Sequence, residues 1–243
     1  MQPQGKTRES SRLSLHEIID RLTAAYGTQN WWPARNRFEM IVGAILTQRV
    51  SWTHVERAIE RLRQAQCLSV EALLATPQEQ LSELIRPALY HNAKARKLHE
   101  FCRFALRNGA TGIDLSVLLA LPANGLRTAL LDVHGIGPET ADVILLYAAG
   151  RPTFVVDTYA RRILTRLGWV NPQTSDNTIR SGAMADLAYD VTALGEAHAL
   201  LVEHGKRHCR KRTPRCVECA LQPECPFGGT QCVHACSEQD DRN

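Results

Sequence analysis

No stretch of this chain approaches the ~18 consecutive apolar residues that a membrane-spanning helix needs. The densest run, Ile41–Leu46, gives way to polar residues within a turn or two, so no membrane partner is expected. The segment Met1–Arg12 is polar and has no apolar h-region, so nothing in it directs the chain to an oxidising compartment. Sustained two-residue alternation is also missing. Thr153–Val156 is β-branched, but it is too short and isolated to found a sheet. There is no internal repeat, no low-complexity tract between the two ends and no flavin or nucleotide motif, which weighs against an electron carrier.

What remains is a chain that can bury a core. Of its 243 residues 44% are hydrophobic and 22% charged, enough for one large domain or two small ones. Apolar residues recur at three- and four-residue spacing almost throughout. The spacing predicts helices over Leu15–Tyr26, Phe38–Leu46, Thr53–Gln66, Val70–Leu74, Pro77–Ile85 and Asn92–Arg107. It predicts further helices over Val117–Leu121, Gly125–Val133, Pro138–Ala149, Thr158–Leu167, Ile179–Leu194 and Ala197–Glu203. The expected fold class is all-α. Cys67 and Cys102 lie on apolar helical faces and read as core.

Charge is local. The net charge is only +4, from 29 basic and 25 acidic side chains, yet Lys206, Arg207, Arg210, Lys211, Arg212 and Arg215 fall in one stretch without an acid. His204 and His208 stand beside it, whereas acids gather in the polar tail at Glu238–Asp241. Such a run attracts a polyanion, provided something holds it rigid. Four cysteines interleave with it: Cys209, Cys216, Cys219 and Cys225 form a C-x6-C-x2-C-x5-C array. Thiolates this dense select a soft centre, iron–sulfur or zinc, and the spacing alone leaves both open. A pair of disulfides is the weaker alternative, because no oxidising compartment is indicated. Cys232 and Cys236, beyond the array, read as free thiols or alternative ligands.

Between two predicted helices runs Val133-His134-Gly135-Ile136-Gly137-Pro138, a helix–hairpin–helix pattern. Gly135 and Gly137 permit positive φ and close backbone approach, and Pro138 fits the first position of the following helix. The N–H groups at that helix start would favour a phosphate. Asp157, before Thr158–Leu167, suits a helix cap.

His134-Gly135-Ile136-Gly137-Pro138-Glu139-Thr140-Ala141, Val155-Val156-Asp157-Thr158, His204-Gly205-Lys206 and the cysteine array together resemble the endonuclease III superfamily of helix–hairpin–helix DNA glycosylases. The match runs from roughly Trp31 to Cys225. The resemblance implies a [4Fe–4S] cluster on the four cysteines, and double-stranded DNA with a damaged base as partner. It implies that His134 to Gly137 and Arg210, Lys211 and Arg212 contact DNA, and that Gln48 fills the gap left by a flipped nucleotide. Asp157 becomes the carboxylate that stabilises oxocarbenium-like charge on the sugar and orients the attacking water. At Glu139 the chain departs from the bifunctional members, which carry there a lysine that forms a Schiff base with the sugar. Monofunctional hydrolysis is therefore expected.

A second resemblance lies in Asn30-Trp31-Trp32-Pro33, Gly43-Ala44-Ile45-Leu46-Thr47-Gln48, Trp52 and Arg86-Pro87 with Tyr90, which is similar to the bacterial type III 3-methyladenine DNA glycosylases. It implies a base pocket walled by Trp31, Trp32, Pro33 and Trp52, with Glu139 and Lys206 nearby. An indole face attracts a cationic alkylated adenine by stacking. That subfamily's known type lacks a cysteine array, so the chain looks like a hybrid. The expected organisation is a six-helix lobe over 30–151 carrying the hairpin, and a discontinuous lobe of 13–28 with 152–225. Disordered tails are expected at 1–12 and 226–243, in a monomer of the bacterial cytoplasm. The rival readings are a bifunctional glycosylase/lyase acting on oxidised pyrimidines, a catalytically silent DNA-binding protein and an iron–sulfur electron carrier.

Overall fold

The computed structural model describes residues 13–229, apart from the side chain of Pro223. Cys232, Cys236, the acidic tail and Met1–Arg12 lie outside the described residues. Among those residues the chain is helical and forms no strand; an isolated bridge joins Thr111 to Asp114, and Thr153–Val156 is unpaired. The all-α expectation holds.

Two compact units divide the chain, one comprising Asn30–Val155 with Tyr189–Gly195, the other 13–29, Val156–Ala188 and 196–229. The first holds eight α-helices, one for each helix the apolar spacing predicts there: α2 (Arg37–Leu46), α3 (Trp52–Gln64), α4 (Val70–Ala75), α5 (Gln78–Leu84), α6 (His91–Arg107), α7 (Ser116–Leu119), α8 (Ala123–Leu131) and α9 (Pro138–Val143). The second holds α1 (Leu15–Tyr26), α10 (Thr158–Arg166) and α11 (Asp176–Asp186); α12 (Val191–Arg207) starts in the first and ends in the second.

Local chemistry sets these boundaries. Ser14 and Glu17 form a reciprocal capping box at α1, and Asn36, Ser69 and Ser175 cap α2, α4 and α11 through their side chains. Helix α2 is buried from Phe38 to Leu46, so it is the central element of its unit. Each fully buried Leu, Ile or Phe there contributes about 1.5–3 kcal/mol. Around it pack α3, α6, α9 and a π-helical continuation of α9, Ile144–Ala148.

The expected helix Ile179–Leu194 breaks in the middle. Ala188 and Tyr189 take φ of +50° and +59°, and the Asp190 carboxylate then accepts the Ala193 N–H at 2.7 Å to start α12. The expected interruption between residues 194 and 197 does not occur. Gly195 stays helical and lets the Tyr147 ring approach, where a Cβ would lie 3.4 Å from Cε1.

Candidate functional site

In the first unit α8 and α9 flank the hairpin and are locked together behind it. Arg127 donates twice to the buried Asp142 carboxylate, at 2.8 and 3.1 Å, and Thr153 adds a third bond at 3.3 Å. Gly135 has φ +92°, and the Lys97 stem lies so close that a Cβ would sit 2.3 Å from its Cγ, so only glycine fits. Gly137 corrects the expectation. It is extended, with φ −92° and ψ 179°, and nothing lies within 4 Å of where its Cβ would be. Its role is to cap α9 without a side chain, leaving the approach open. Ile136 is buried, and its N–H is spent on Val133 O at 3.0 Å, so neither its side chain nor that amide faces a partner. His134 is exposed.

Gln48 is turned to the hairpin. Its amide donates to Gly135 O and Thr140 Oγ1, both at 3.0 Å, while Lys97 Nζ donates to its Oε1. Both amide donors are thus used as braces, and filling a gap in DNA would require exchanging them. Lys94 is a second fastener: buried, it donates to Leu46 O and Ala88 O at 2.8 and 2.7 Å, tying α6 to the end of α2 and to the Arg86–Ala88 turn. Burial, with Lys97 nearby, lowers its pKa to about 8.

The aromatic residues do meet. Trp32 packs edge-on against Trp31, Trp52 and Tyr147, with centroids 5.7, 5.5 and 5.5 Å away. Its Nε1 is buried without a hydrogen-bond partner among the described residues. Trp52 donates from Nε1 to Glu56 at 2.7 Å and, with Pro33, lines an open depression of about 420 Å³. Tyr147 was not singled out from the sequence, because its spacing matches any core aromatic; its hydroxyl donates to Gly195 O at 2.9 Å. Glu139 lies in the first turn of α9 at the protein surface, and the protein packed around one side of its carboxyl partly desolvates it and raises its pKa.

In the second unit Asp157 is the N-cap of α10. Its Oδ1 accepts the Ala160 N–H at 2.7 Å, and the residue is 9% exposed. The array cysteines are free thiols, not disulfides, and all four line one small cavity of about 20 Å³. Burial pushes the Cys219 thiol up to about 11 and raises Cys225 as well. Cys219 Sγ lies 3.6 Å from His204 Nε2, and Tyr26 Oη sits 2.8 Å from Nδ1 of both His204 and His208. Lys206, Arg210, Lys211 and Arg212 are exposed. Residues 226–229, expected in a disordered tail, begin a helical turn in which Phe227 lies under Arg166, 4.2 Å from its guanidinium carbon.

Residues 42–184 match the family described as HhH-GPD superfamily base excision DNA repair protein. A Methanocaldococcus jannaschii protein provisionally named a DNA repair glycosylase is 40% identical over 223 residues, 90% of this chain and 98% of that one. This chain belongs to the HhH-GPD superfamily of base excision DNA repair proteins. It is a base excision repair DNA glycosylase of that superfamily. Endonuclease III of Thermotoga maritima is 30% identical over 78% of this chain and 83% of its own length. The glycosylase fold is also that of endonuclease III in a non-covalent DNA complex, with a TM-score of 0.75, 23% identity and coverage of 91% of this chain and 99% of that one. The 3-methyladenine DNA glycosylase of H. pylori bound to 1,N6-ethenoadenine superposes with a TM-score of 0.69 at 26% identity, over 80% of this chain and 98% of that one.

Proposed function

We propose that this glycosylase acts as a monomer on double-stranded DNA, flips out a damaged base and hydrolyses its N-glycosidic bond with water, without strand cleavage. Glu139 carries the reading. A carboxylate cannot form the imine through which a lysine would open the sugar, and its position in the first turn of α9 makes it a complement to the helix dipole. Asp157 would carry the chemistry: capping α10 fixes its rotamer, and a fixed carboxylate can stabilise positive charge developing on the sugar and orient the attacking water. His134 and the open backbone at Gly137 would take one stretch of phosphates, and Arg210, Lys211 and Arg212 another, with Lys206 at the phosphate or the base.

The base would be an alkylated purine such as 3-methyladenine. Support comes from the Trp31, Trp32, Trp52 and Tyr147 cluster with Pro33, since electron-rich indoles favour a cationic ring. The likeness to a glycosylase solved with 1,N6-ethenoadenine points the same way. For Gln48, its bond to Gly135 O suggests a support of the hairpin that is released when a nucleotide leaves the stack.

The four cysteines would hold a [4Fe–4S] cluster. The support is that all four thiols line one cavity and that their C-x6-C-x2-C-x5-C spacing is the one the endonuclease III resemblance ties to an iron–sulfur centre. Bound there, the cluster would cross-link the loop, since hydrolysis of a glycosidic bond requires no electron transfer.

The test incubates purified protein with duplexes bearing 3-methyladenine, an oxidised pyrimidine or a mismatched thymine, with and without hot alkali. Strand breaks from the alkylated duplex that appear only after alkali are expected. An adduct trapped by borohydride would overturn the assignment of water as nucleophile. Asp157→Asn keeps an equally good cap, so the helix survives, while base release falls by about 100- to 1,000-fold. Base release at the wild-type rate would remove Asp157 from the mechanism.

A further inference from the structure

Arg162 and Arg166 lie four residues apart on α10, the helix that Asp157 caps, and both reach the backbone of the basic loop. Arg162 donates from Nε to Cys209 O at 2.9 Å and from Nη2 to Gly205 O at 3.3 Å. Arg166 donates from Nη1 to Arg210 O at 2.7 Å and from Nη2 to Lys211 O at 3.1 Å, with Nη1 also 3.3 Å from Cys209 Sγ. In return the Cys225 thiol donates to Arg166 O at 3.5 Å. Two more cations beside a stretch that already carries six are unfavourable by Coulomb's law, so their placement calls for a compensating role. The carbonyls supply it: the last turn of α12 and the turn after it leave main-chain oxygens that need donors, and a negative helix end that suits a cation.

A planar fork holds two of these oxygens in a fixed direction from separate nitrogens, whereas a lysine ammonium, even where it takes two carbonyls as Lys94 does, donates from a single point. The close approach is also built in. Gly205 has no side chain, and a Cβ there would sit 2.3 Å from Tyr159 Cδ1, so any larger residue would push the end of α12 away from α10.

We propose that Arg162 and Arg166 are positioning residues that make α10 a strut between Asp157 and the segment 205–211. Arg162 and Arg166 stand five and nine residues beyond the cap, roughly 7 and 14 Å of rigid helical rise. The exposed cations Lys206, Arg210 and Lys211 are thereby held at a set offset from the carboxylate, so a phosphate taken by the loop fixes which sugar Asp157 meets. Arg212 follows as the next residue of the same turn. This rests on the glycosylase reading above.

The experiment uses the full-length, iron-loaded protein and the variants Arg162→Lys and Arg166→Lys, which keep the charge and lose the fork. Iron per chain, affinity for a duplex bearing a tetrahydrofuran abasic-site analogue, its salt dependence, and single-turnover base release at saturating DNA are measured. Both variants should retain iron. Affinity should weaken with a salt slope shallower by about one phosphate contact, and the saturated rate should drop about tenfold or more, since small misplacements of reacting groups cost that much. Arg162, which does not touch a cysteine sulfur, gives the clean result if Arg166→Lys loses iron. Wild-type affinity and saturated rate in Arg162→Lys would overturn the proposal, as would an affinity loss with an unchanged saturated rate, because the arginines would then serve the grip alone. A wild-type protein that releases no base from any lesion would instead sink the glycosylase reading, and the affinity and salt slope would still report on the loop.

Discussion

Gly135 and Gly137 look alike in the sequence, and the structure separates them by one torsion angle. The first is left-handed and pressed against Lys97; the second is extended with open space around it. Gly135→Ala should therefore destabilise the protein by about 1–3 kcal/mol, whereas Gly137→Ala should stay within about 0.5 kcal/mol and weaken DNA binding instead, as urea titrations and binding isotherms would register. Equal stability losses for the two would refute the distinction. Glu139 offers a gain-of-function prediction at the same scale. Glu139→Lys places an amine in the first turn of α9, so borohydride should trap a protein–DNA adduct in the variant and none in the wild type. Asp157 was legible as a helix cap, which the structure shows, whereas its proposed catalytic role and the pocket role of the tryptophans come from the family resemblance. Tyr147 was not, because nothing but its contact with Trp32 distinguishes it from a core tyrosine.

Helices were legible where apolar periodicity is clear, as over Leu15–Tyr26 and Phe38–Leu46, and the structure adds the Ser14 and Asn36 side-chain caps at their starts. They were misread where a backbone reversal uses residues with no turn signature, as at Ala188 and Tyr189. Helix α6 shows a tertiary effect of another kind, in which Lys94 gives up solvent to hold two carbonyls of other elements. Its folded pKa of about 8 lies below the ordinary 10.5. Between those values the unfolded chain retains a proton that the folded chain has released, so stability rises as pH increases from about 8 to 10.5 and is insensitive to this group below 8. The rise is on the order of 3 kcal/mol at most. Denaturant melts across that range should show a shallower rise for Lys94→Met than for the wild type. Parallel curves would mean that Lys94 titrates normally.

At the scale of the whole molecule, the main chain of the cysteine loop is held in place by the protein itself. Arg162 and Arg166 already hold its main chain, and the thiols of Cys219 and Cys225 are buried enough to resist ionisation until a metal centre binds. If the four cysteines hold the proposed cluster, removing its iron should loosen the loop without unfolding the rest. Hydrogen exchange on chelator-treated protein should accelerate across residues 205–225 and the end of α10, with α2 and α6 protected as before. Unchanged exchange across the loop would deny the centre any structural part, and loss of protection in α2 would show that it supports far more than its own loop.

The sequence by itself determined the class of secondary structure, the hairpin and the cysteine array, because each is written in spacings of a few residues that local sterics and ligand chemistry read directly, and the resemblance of its motifs pointed to the family. Only the tertiary structure decided which hairpin glycine is conformationally required, where Gln48 spends its amide, and that two arginines on α10 reach the backbone of a loop more than forty residues further along the chain. Those outcomes depend on which surfaces are brought within hydrogen-bond reach, a long-range consequence of packing that no local pattern encodes.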